Sequence, residues 1–283
     1  MPHALAVDVG GTKLAAGLVG DDGTLLSRAQ RPTPRGTDPE ALLGALLEVV
    51  EDVRDGAEAV CGVGCGGPMR GALVSPLNIP AWRDFPLRDR LAEATGLPCA
   101  VDNDAKALAL GEGWVGAAAG ASDYLAMVVS TGVGGGIVLD GRLLDGALGN
   151  AGHVGHVIVE PDGATCGCGA RGCLEAEASG TGIRNRTGRP AAEAPPDERT
   201  RAGVLVGRAV ASICNLLDLR LAVVAGSVAL GFGEPFFVAA QGELDARARL
   251  AFSRGATIRP GGLGDAGPLV GAAAVGFRHL RSA

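Results

Sequence analysis

The sequence predicts an α/β protein built as two related lobes, and two observations carry that prediction. Apolar stretches that read as buried strands alternate along the chain with stretches at helical spacing. A strand–glycine loop–strand unit also occurs twice, once at Asp8-Val9-Gly10-Gly11-Thr12 and again at Ser130-Thr131-Gly132-Val133-Gly134-Gly135-Gly136. Chance recurrence of glycine turns in a chain with 47 glycines is the competing account of this echo. Taken alone, the echo leaves the two accounts level.

Leu5–Val9 and Leu14–Val19 read as a strand pair around Gly10-Gly11, and Thr24–Gln30 as a third strand after the turn Asp21-Asp22-Gly23. Thr37 or Asp38 is placed to cap a helix over Glu40–Val53, with Pro39 at its start and Leu42, Leu43, Leu46, Leu47 and Val50 on one stripe. Ala59–Gly64 is a buried strand running into Cys65-Gly66-Gly67-Pro68. A helix over Pro86–Thr95 leads to a strand over Pro98–Asp102, and a helix follows from Asp104 to about Val115. Tyr124–Val129 is a strand ending in the second glycine loop, resumed by Ile137–Leu139. Residues 184–200, rich in Arg, Pro and Glu, are expected as a surface loop or helix entry. Thr200–Asp218 is a helix, and Leu221–Ala225 a buried strand ending at Gly226-Ser227.

With 47% hydrophobic and 20% charged residues, the chain is globular rather than disordered. A net charge of −6 leaves no basic footprint for nucleic acid or a membrane surface. No apolar run approaches the roughly 20 residues of a membrane span, and no leader pattern opens the chain, so a cytoplasmic protein is expected. Of seven cysteines, Cys61, Cys65, Cys99 and Cys214 read as small buried hydrophobes.

The first glycine loop lets backbone N–H groups approach phosphate oxygens. Thr12 adds a hydroxyl and Lys13 a charge, while Asp8 is placed to hold Mg²⁺. The spacing is not that of a Walker loop, and a plain hairpin turn with a buried Asp is the bland alternative. Ser130–Gly136 repeats the logic with hydroxyls at Ser130 and Thr131. Gly226-Ser227 is a strand end of small residues on which a flat adenine and ribose can lie. In Val101-Asp102-Asn103-Asp104 a carboxylate beside an amide, at a strand-to-helix junction, is placed to take a hydroxyl proton. A helix cap explains the same residues, and Asp102 competes with Asp104. His156-x9-Cys166-x-Cys168-x4-Cys173 offers three thiolates and an imidazole, the donor set of a closed tetrahedral Zn²⁺ site. A zinc ribbon for nucleic acid does not suit the acidic pI and the few nearby basic residues, Arg171 and Arg184.

Taken in order, Asp8-Val9-Gly10-Gly11-Thr12-Lys13, Gly66-Gly67-Pro68, Asn103-Asp104-Ala105, Thr131-Gly132-Val133-Gly134, Ala151-Gly152-His153-Val154-Gly155-His156 and the run Cys166 to Glu175 resemble the ROK family of sugar kinases. The likeness is strongest to its bacterial glucokinase-like members and spans nearly the whole chain. It implies an actin-like ATPase, hexokinase-type fold of two lobes closing around sugar and ATP, with a structural zinc site. The lobes are expected at 1–103, completed by a C-terminal helix over about 266–283, and at 104–265, carrying the zinc loop. It further implies an ATP- and Mg²⁺-dependent hexose kinase acting on the 6-hydroxyl, with Asp104 rather than Asp102 as base. Gly67, Asn103, Asp104, His153, His156 and Glu175 would meet the sugar. Asp8, Gly10, Gly11, Thr12, Lys13, Thr131, Gly132, Gly226 and Ser227 would meet ATP and Mg²⁺. His156 doubles as a zinc ligand with Cys166, Cys168 and Cys173.

Relatives are often dimers or tetramers, so a homodimer or homotetramer is expected. The alternative is a non-catalytic, sugar-binding regulator of the same group, which would carry a DNA-binding segment ahead of a first strand that here begins by about Leu5. One residue departs from the pattern: His153 stands where the family usually has Glu. An imidazole cannot accept two hydroxyl bonds as a carboxylate does, so a glucose, amino, N-acetyl or epimeric acceptor all stay open.

Overall fold

The computed structural model describes residues 2–36 and 38–282; Thr37, one of the two expected helix caps, lies outside them. Along the chain, β1 (His3–Val9), β2 (Lys13–Gly20) and β3 (Leu25–Pro32) precede α1 (Pro39–Glu51) and β4 (Glu58–Cys65). The short β5 (Met69–Arg70) and β6 (Leu73–Val74), α2 (Leu87–Thr95), β7 (Cys99–Asn103) and α3 (Asp104–Val115) follow. Then come β8 (Tyr124–Val129), β9 (Val133–Leu139), β10 (Arg142–Leu143), α4 (Leu174–Ala178), α5 (Gly180–Thr187) and α6 (Pro196–Leu217). The chain ends with β11 (Leu221–Ala225), α7 (Ser227–Phe232), α8 (Glu234–Arg247), β12 (Thr257–Pro260) and α9 (Gly267–Ser282).

These elements form two compact units. The first holds the chain up to Gly116, Asp145–Ala151 and the chain from Leu263 onward; the second holds Ala117–Leu144 and Gly152–Gly262. The first sheet runs β3-β2-β1-β4-β7 and the second β10-β9-β8-β11-β12. In both, the first three strands in chain order are antiparallel and the last two join in parallel. The two glycine loops therefore occupy equivalent places, between β1 and β2 and between β8 and β9. The sequence echo is a topological repeat.

In unit 1, β1 alternates large and small residues, and that alternation decides what packs on each face. Leu5, Val7 and Val9 face the cluster with Leu42, Leu46 and Val50 of α1. Ala4 and Ala6 share the opposite cluster with Ala272, Ala273 and Phe277 of α9. The small side chains let α9 lie close: a Cβ on Gly62 would stand 2.0 Å from the Ala272 carbonyl oxygen. Helix α3 meets α9 the same way, since a Cβ on Gly271 would stand 2.6 Å from the Ala107 carbonyl oxygen. This backbone contact groups α3 with unit 1, whereas the sequence suggested a division after Asn103. Asp38 caps α1 by accepting from the Glu40 N–H at 2.9 Å.

Three further differences from expectation have simple causes. The second loop is short, because Val133-Gly134-Gly135-Gly136 pair with β8 as strand and only Ser130–Gly132 turn. Part of the expected 184–200 loop is α5, capped by the Ser179 hydroxyl, and α6 starts at Pro196 with proline in its first turn. Helix α6 is also long and apolar enough to cross a bilayer, but its apolar stripe, with Leu205, Val206, Ala209 and Val210, lies in the core of unit 2.

Candidate active site and metal centre

Within unit 1 the parallel register β1–β4–β7 sets Asp8 opposite Gly64 and Gly64 opposite Asp102, at the carboxyl ends of the strands. Ligands of open α/β sheets bind at such ends. Asp102 is engaged by its neighbours: its Oδ1 is 2.9 Å from Lys106 Nζ and also accepts the Asn103 N–H at 2.8 Å. Asn103 caps α3, its Oδ1 accepting from Ala105 N–H at 3.0 Å and Lys106 N–H at 3.3 Å. Asp104 opens α3, is exposed, and accepts the Ala105 N–H at 2.8 Å through one oxygen. The helix cap thus falls on Asn103, and Asp104 stands exposed beside it at the start of α3.

Asp8 is buried, and its pKa is pushed up to about 7 by that burial and by the Asp104 charge, with Lys13 opposing. The Cys65 thiol is pushed up as well, first by burial and then by the same two carboxylates. A Cβ at Gly64 would lie 3.6 Å from Asp104 Cα and 3.9 Å from Asp8 Oδ1, so a glycine keeps the space between them open. A buried carboxylate such as Asp8, at the carboxyl end of its strand, is a donor of the kind a hard divalent cation takes. Beside it Gly11, Thr12 and Lys13 are exposed on the β1–β2 turn, closed by a 3.0 Å bond from Gly10 N–H to the Lys13 carbonyl. Gly67 is half-buried on the loop after β4, its carbonyl accepting from Leu77 N–H at 3.2 Å.

Unit 2 holds the other loop. Thr131 is exposed at its tip, and the Ser130 and Thr131 carbonyls accept the Gly180 and Thr181 N–H groups at 2.7 and 3.2 Å. Ser130 Oγ lies 2.9 Å from Ser227 Oγ, which joins this loop to the end of β11. There Gly226 has φ +99°, and a Cβ on it would stand 2.4 Å from the Val129 carbonyl oxygen, so glycine is needed twice over. Glu175 backs the loop: its Oε2 accepts the Val133 N–H at 3.0 Å, and Gly132 makes room for that oxygen. His153 and His156 lie near-parallel, ring centroids 6.1 Å apart, with His153 exposed.

His156 also faces the cysteines. Its Nδ1 is 3.7 Å from Cys166 Sγ, Cys168 Sγ is 3.7 Å from Cys173 Sγ, and all four ligand atoms lie within 4.8 Å of one another. Tetrahedral Zn–S bonds of about 2.3 Å place sulfurs about 3.8 Å apart, so the spacing fits zinc. The Ala170 N–H, aimed at Cys168, and the neighbouring thiols pull the Cys168 thiol below its ordinary range. Behind the loop, buried Glu177 accepts the Ala164 N–H at 2.6 Å and meets Arg201 Nη2 at 2.5 Å.

Two residues of this neighbourhood escaped sequence reasoning. Lys106 was passed over, although Asp102-x3-Lys106 is an i,i+4 ion-pair spacing. Asn150 grips Met69 from both sides, its Oδ1 accepting the Met69 N–H at 3.0 Å and its Nδ2 donating to the Met69 carbonyl at 2.9 Å. No local pattern signals such a long-range pair.

The family model described as the ROK family matches residues 4–277. An N-acetylmannosamine kinase from Citrobacter koseri is 41% identical over 246 residues, covering 81% of this chain and 84% of its own. Among solved structures, a ROK hexokinase from Thermus thermophilus superposes with a TM-score of 0.82 at 35% identity, covering 99% of this chain and 100% of its own. A ROK family glucokinase from Streptomyces griseus, in complex with glucose and AMPPNP, superposes with a TM-score of 0.85 at 30% identity, covering 98% and 99%.

Proposed function

The chain belongs to the ROK family and is a sugar kinase, and from that premise we propose that it transfers the γ-phosphoryl group of ATP to the 6-hydroxyl of a hexose. Asp104 is the base, and N-acetylmannosamine stands ahead of glucose as acceptor. The observation that carries the assignment is the division of labour at the β7–α3 junction. Asp102 is occupied by Lys106 and Asn103 Oδ1 by the helix backbone, which leaves Asp104 exposed at the start of α3.

The Asp104 carboxylate takes the proton of the sugar's 6-hydroxyl as that oxygen bonds to the γ-phosphorus. The bond from phosphorus to the bridging oxygen of ADP breaks, and its electron pair leaves on ADP. The Asn103 side-chain amide, Gly67, His156 and Glu175 orient the sugar. The exposed turn Gly11–Lys13, with Gly10 at its base, and the Thr131–Gly132 loop receive phosphates through N–H groups, hydroxyls and the Lys13 charge. Gly226 and Ser227 take the nucleoside. Asp8 would hold Mg²⁺, which when bound would supply charge neutralisation on the phosphate oxygens. His156, Cys166, Cys168 and Cys173 would hold Zn²⁺, and a metal there would order the segment that presents His153 and His156.

The acceptor follows from His153 together with the relatives. A carboxylate in that place accepts bonds from two neighbouring hydroxyls, whereas imidazole accepts one at most. A C2 acetamido group removes one of those hydroxyls, and N-acetylmannosamine kinases are among the relatives. The regulator alternative has less behind it, since the exposed base and both phosphate-type loops are present.

A coupled ADP-release assay over glucose, mannose, glucosamine, N-acetylglucosamine and N-acetylmannosamine tests the proposal. We expect the highest kcat/KM with N-acetylmannosamine, and Asp104→Asn to lower kcat by about 10²–10⁴-fold with sugar binding kept. Turnover in Asp104→Asn within tenfold of the unmodified enzyme would remove Asp104 as the base.

A further inference from the structure

We infer that Lys106 is a positioning residue of this kinase, whose buried ammonium ties the 145–149 loop to the first turn of the helix that carries the base. The inference rests on the sugar-kinase reading above. Lys106 follows Asp104 by two residues and is 2% exposed. Its Nζ lies 2.9 Å from Asp102 Oδ1, 2.8 Å from Asp145 Oδ1 and 3.1 Å from the Gly149 carbonyl oxygen. An ammonium has three donors, and here three acceptors converge on one nitrogen. A guanidinium spreads its donors over a planar fork and cannot reproduce that convergence. Of the 25 basic residues in this chain, only Lys13 and Lys106 are lysines. A chain that otherwise uses arginine places a lysine where the geometry asks for one.

The loop itself is open and glycine-rich. Leu148 is 73% exposed, Gly146 and Gly149 have positive φ, and a cavity of about 390 Å³ bordered by Met69, Arg70, Asp102, Asp145 and Leu148 lies beside Lys106. Further polar ties include the Asn150–Met69 pair, Asn150 Nδ2 to the Leu148 carbonyl at 3.2 Å, the Ala151 N–H to the Asp145 carbonyl at 3.0 Å, and Arg278 at 3.7 Å from Asp145 Oδ2. Asp102 is partly buried, and that burial raises its pKa, with the Lys106 ammonium opposing. Within unit 1 the same ammonium is bonded to Asp102, next to Asn103 and Asp104, so a loop that slips disturbs the start of α3, and displacements near 1 Å cost reaction rate or affinity heavily.

The test is steady-state kinetics with saturating ATP and varied acceptor sugar, then the converse, on the unmodified enzyme, Lys106→Met, Asp145→Asn and the double variant. Asp145 is half-exposed, so its variant leaves the core alone. We expect Lys106→Met to raise the sugar KM about tenfold or more, as loss of charge-assisted bonds implies, with the ATP KM within about twofold. Asp145→Asn should raise the sugar KM in the same direction by a smaller factor. The double variant should be no worse than Lys106→Met alone, because both act through one contact. An active enzyme whose sugar KM stays within about twofold in both single variants overturns the inference while leaving the kinase reading intact. So does a Lys106→Met protein with a lower melting temperature and both KM values shifted together while Asp145→Asn is neutral, since that describes structural damage only. An unmodified protein that neither binds nor phosphorylates any hexose overturns both.

Discussion

At the scale of single residues, we propose His153 for the choice of acceptor and Asp104 for the proton transfer. His153→Glu restores a group able to accept two hydroxyl bonds, and sites that hydrogen-bond a substrate hydroxyl discriminate strongly against analogues lacking it. The ratio of kcat/KM for glucose to that for N-acetylmannosamine is expected to rise by about tenfold or more, in line with about 1–3 kcal/mol per buried polar mismatch. An unchanged ratio would show that His153 does not read the acceptor. The choice between Asp102 and Asp104 shows where residue-level legibility ends. Both are Asp at one junction; the family resemblance favours Asp104, and the Lys106 ammonium, itself held by Asp145 and Gly149 some forty residues on, engages Asp102 in a way no local pattern announces.

At the scale of elements, the metal loop between β10 and α4 is held by two different means. The cluster of His156, Cys166, Cys168 and Cys173 would close it from within around a metal ion, and Glu177 holds it from behind. Cys168→Ser removes a thiolate, so zinc content by elemental analysis should fall, together with sugar affinity, while Asp104 and the unit 1 loop are untouched. Full zinc occupancy in the variant would exclude Cys168 as a ligand. Glu177 adds a pH dependence. Burial alone would raise its pKa, but the Ala164 N–H and the Arg201 and Arg186 charges bring it below the ordinary Glu value of 4.5. A depressed carboxylate contributes stability that is whole above 4.5 and drains as pH falls through the folded-state pKa. Glu177→Gln should therefore lower stability at pH 7 and flatten the loss below pH 4.5 in denaturant titrations. A parallel pH profile for the two proteins would count against that role. The Cys-x-Cys spacing made the first means legible in the sequence, whereas the second is a contact between α4, α6 and a loop that no local pattern announces.

At the scale of the whole molecule, the repeated topology was legible because the glycine loops lie at matching places in two sheets of identical order. The helices α7 and α8 were not, since α8 buries only Phe236, Ala240 and Leu244 and presents a thin stripe. Nor was the grouping of α3 with α9, which depends on Gly111 and Gly271 meeting at backbone distance across 160 residues of chain. Sequence periodicity reports which face of an element is apolar, and it is silent on which distant element covers that face.

Enzyme and regulator differ at this scale too, because both bind sugar and only one turns it over. Binding to the folded state alone stabilises by RT ln(1 + [L]/Kd), about 2.7 kcal/mol at a hundredfold excess over Kd. For a protein of this size each kcal/mol raises the melting temperature by about 2–4 °C, so the acceptor sugar should raise it by about 5–10 °C. The same rise is expected in Asp104→Asn, because the base acts on the proton in the transition state and other residues bear most of the ground-state binding. With ATP added, only the unmodified protein should release ADP. A sugar-dependent shift without ADP release in the unmodified protein would turn the assignment to the regulator. Loss of the shift in Asp104→Asn would mean that Asp104 anchors the sugar, and its place in the mechanism would have to be reassigned from proton transfer to binding.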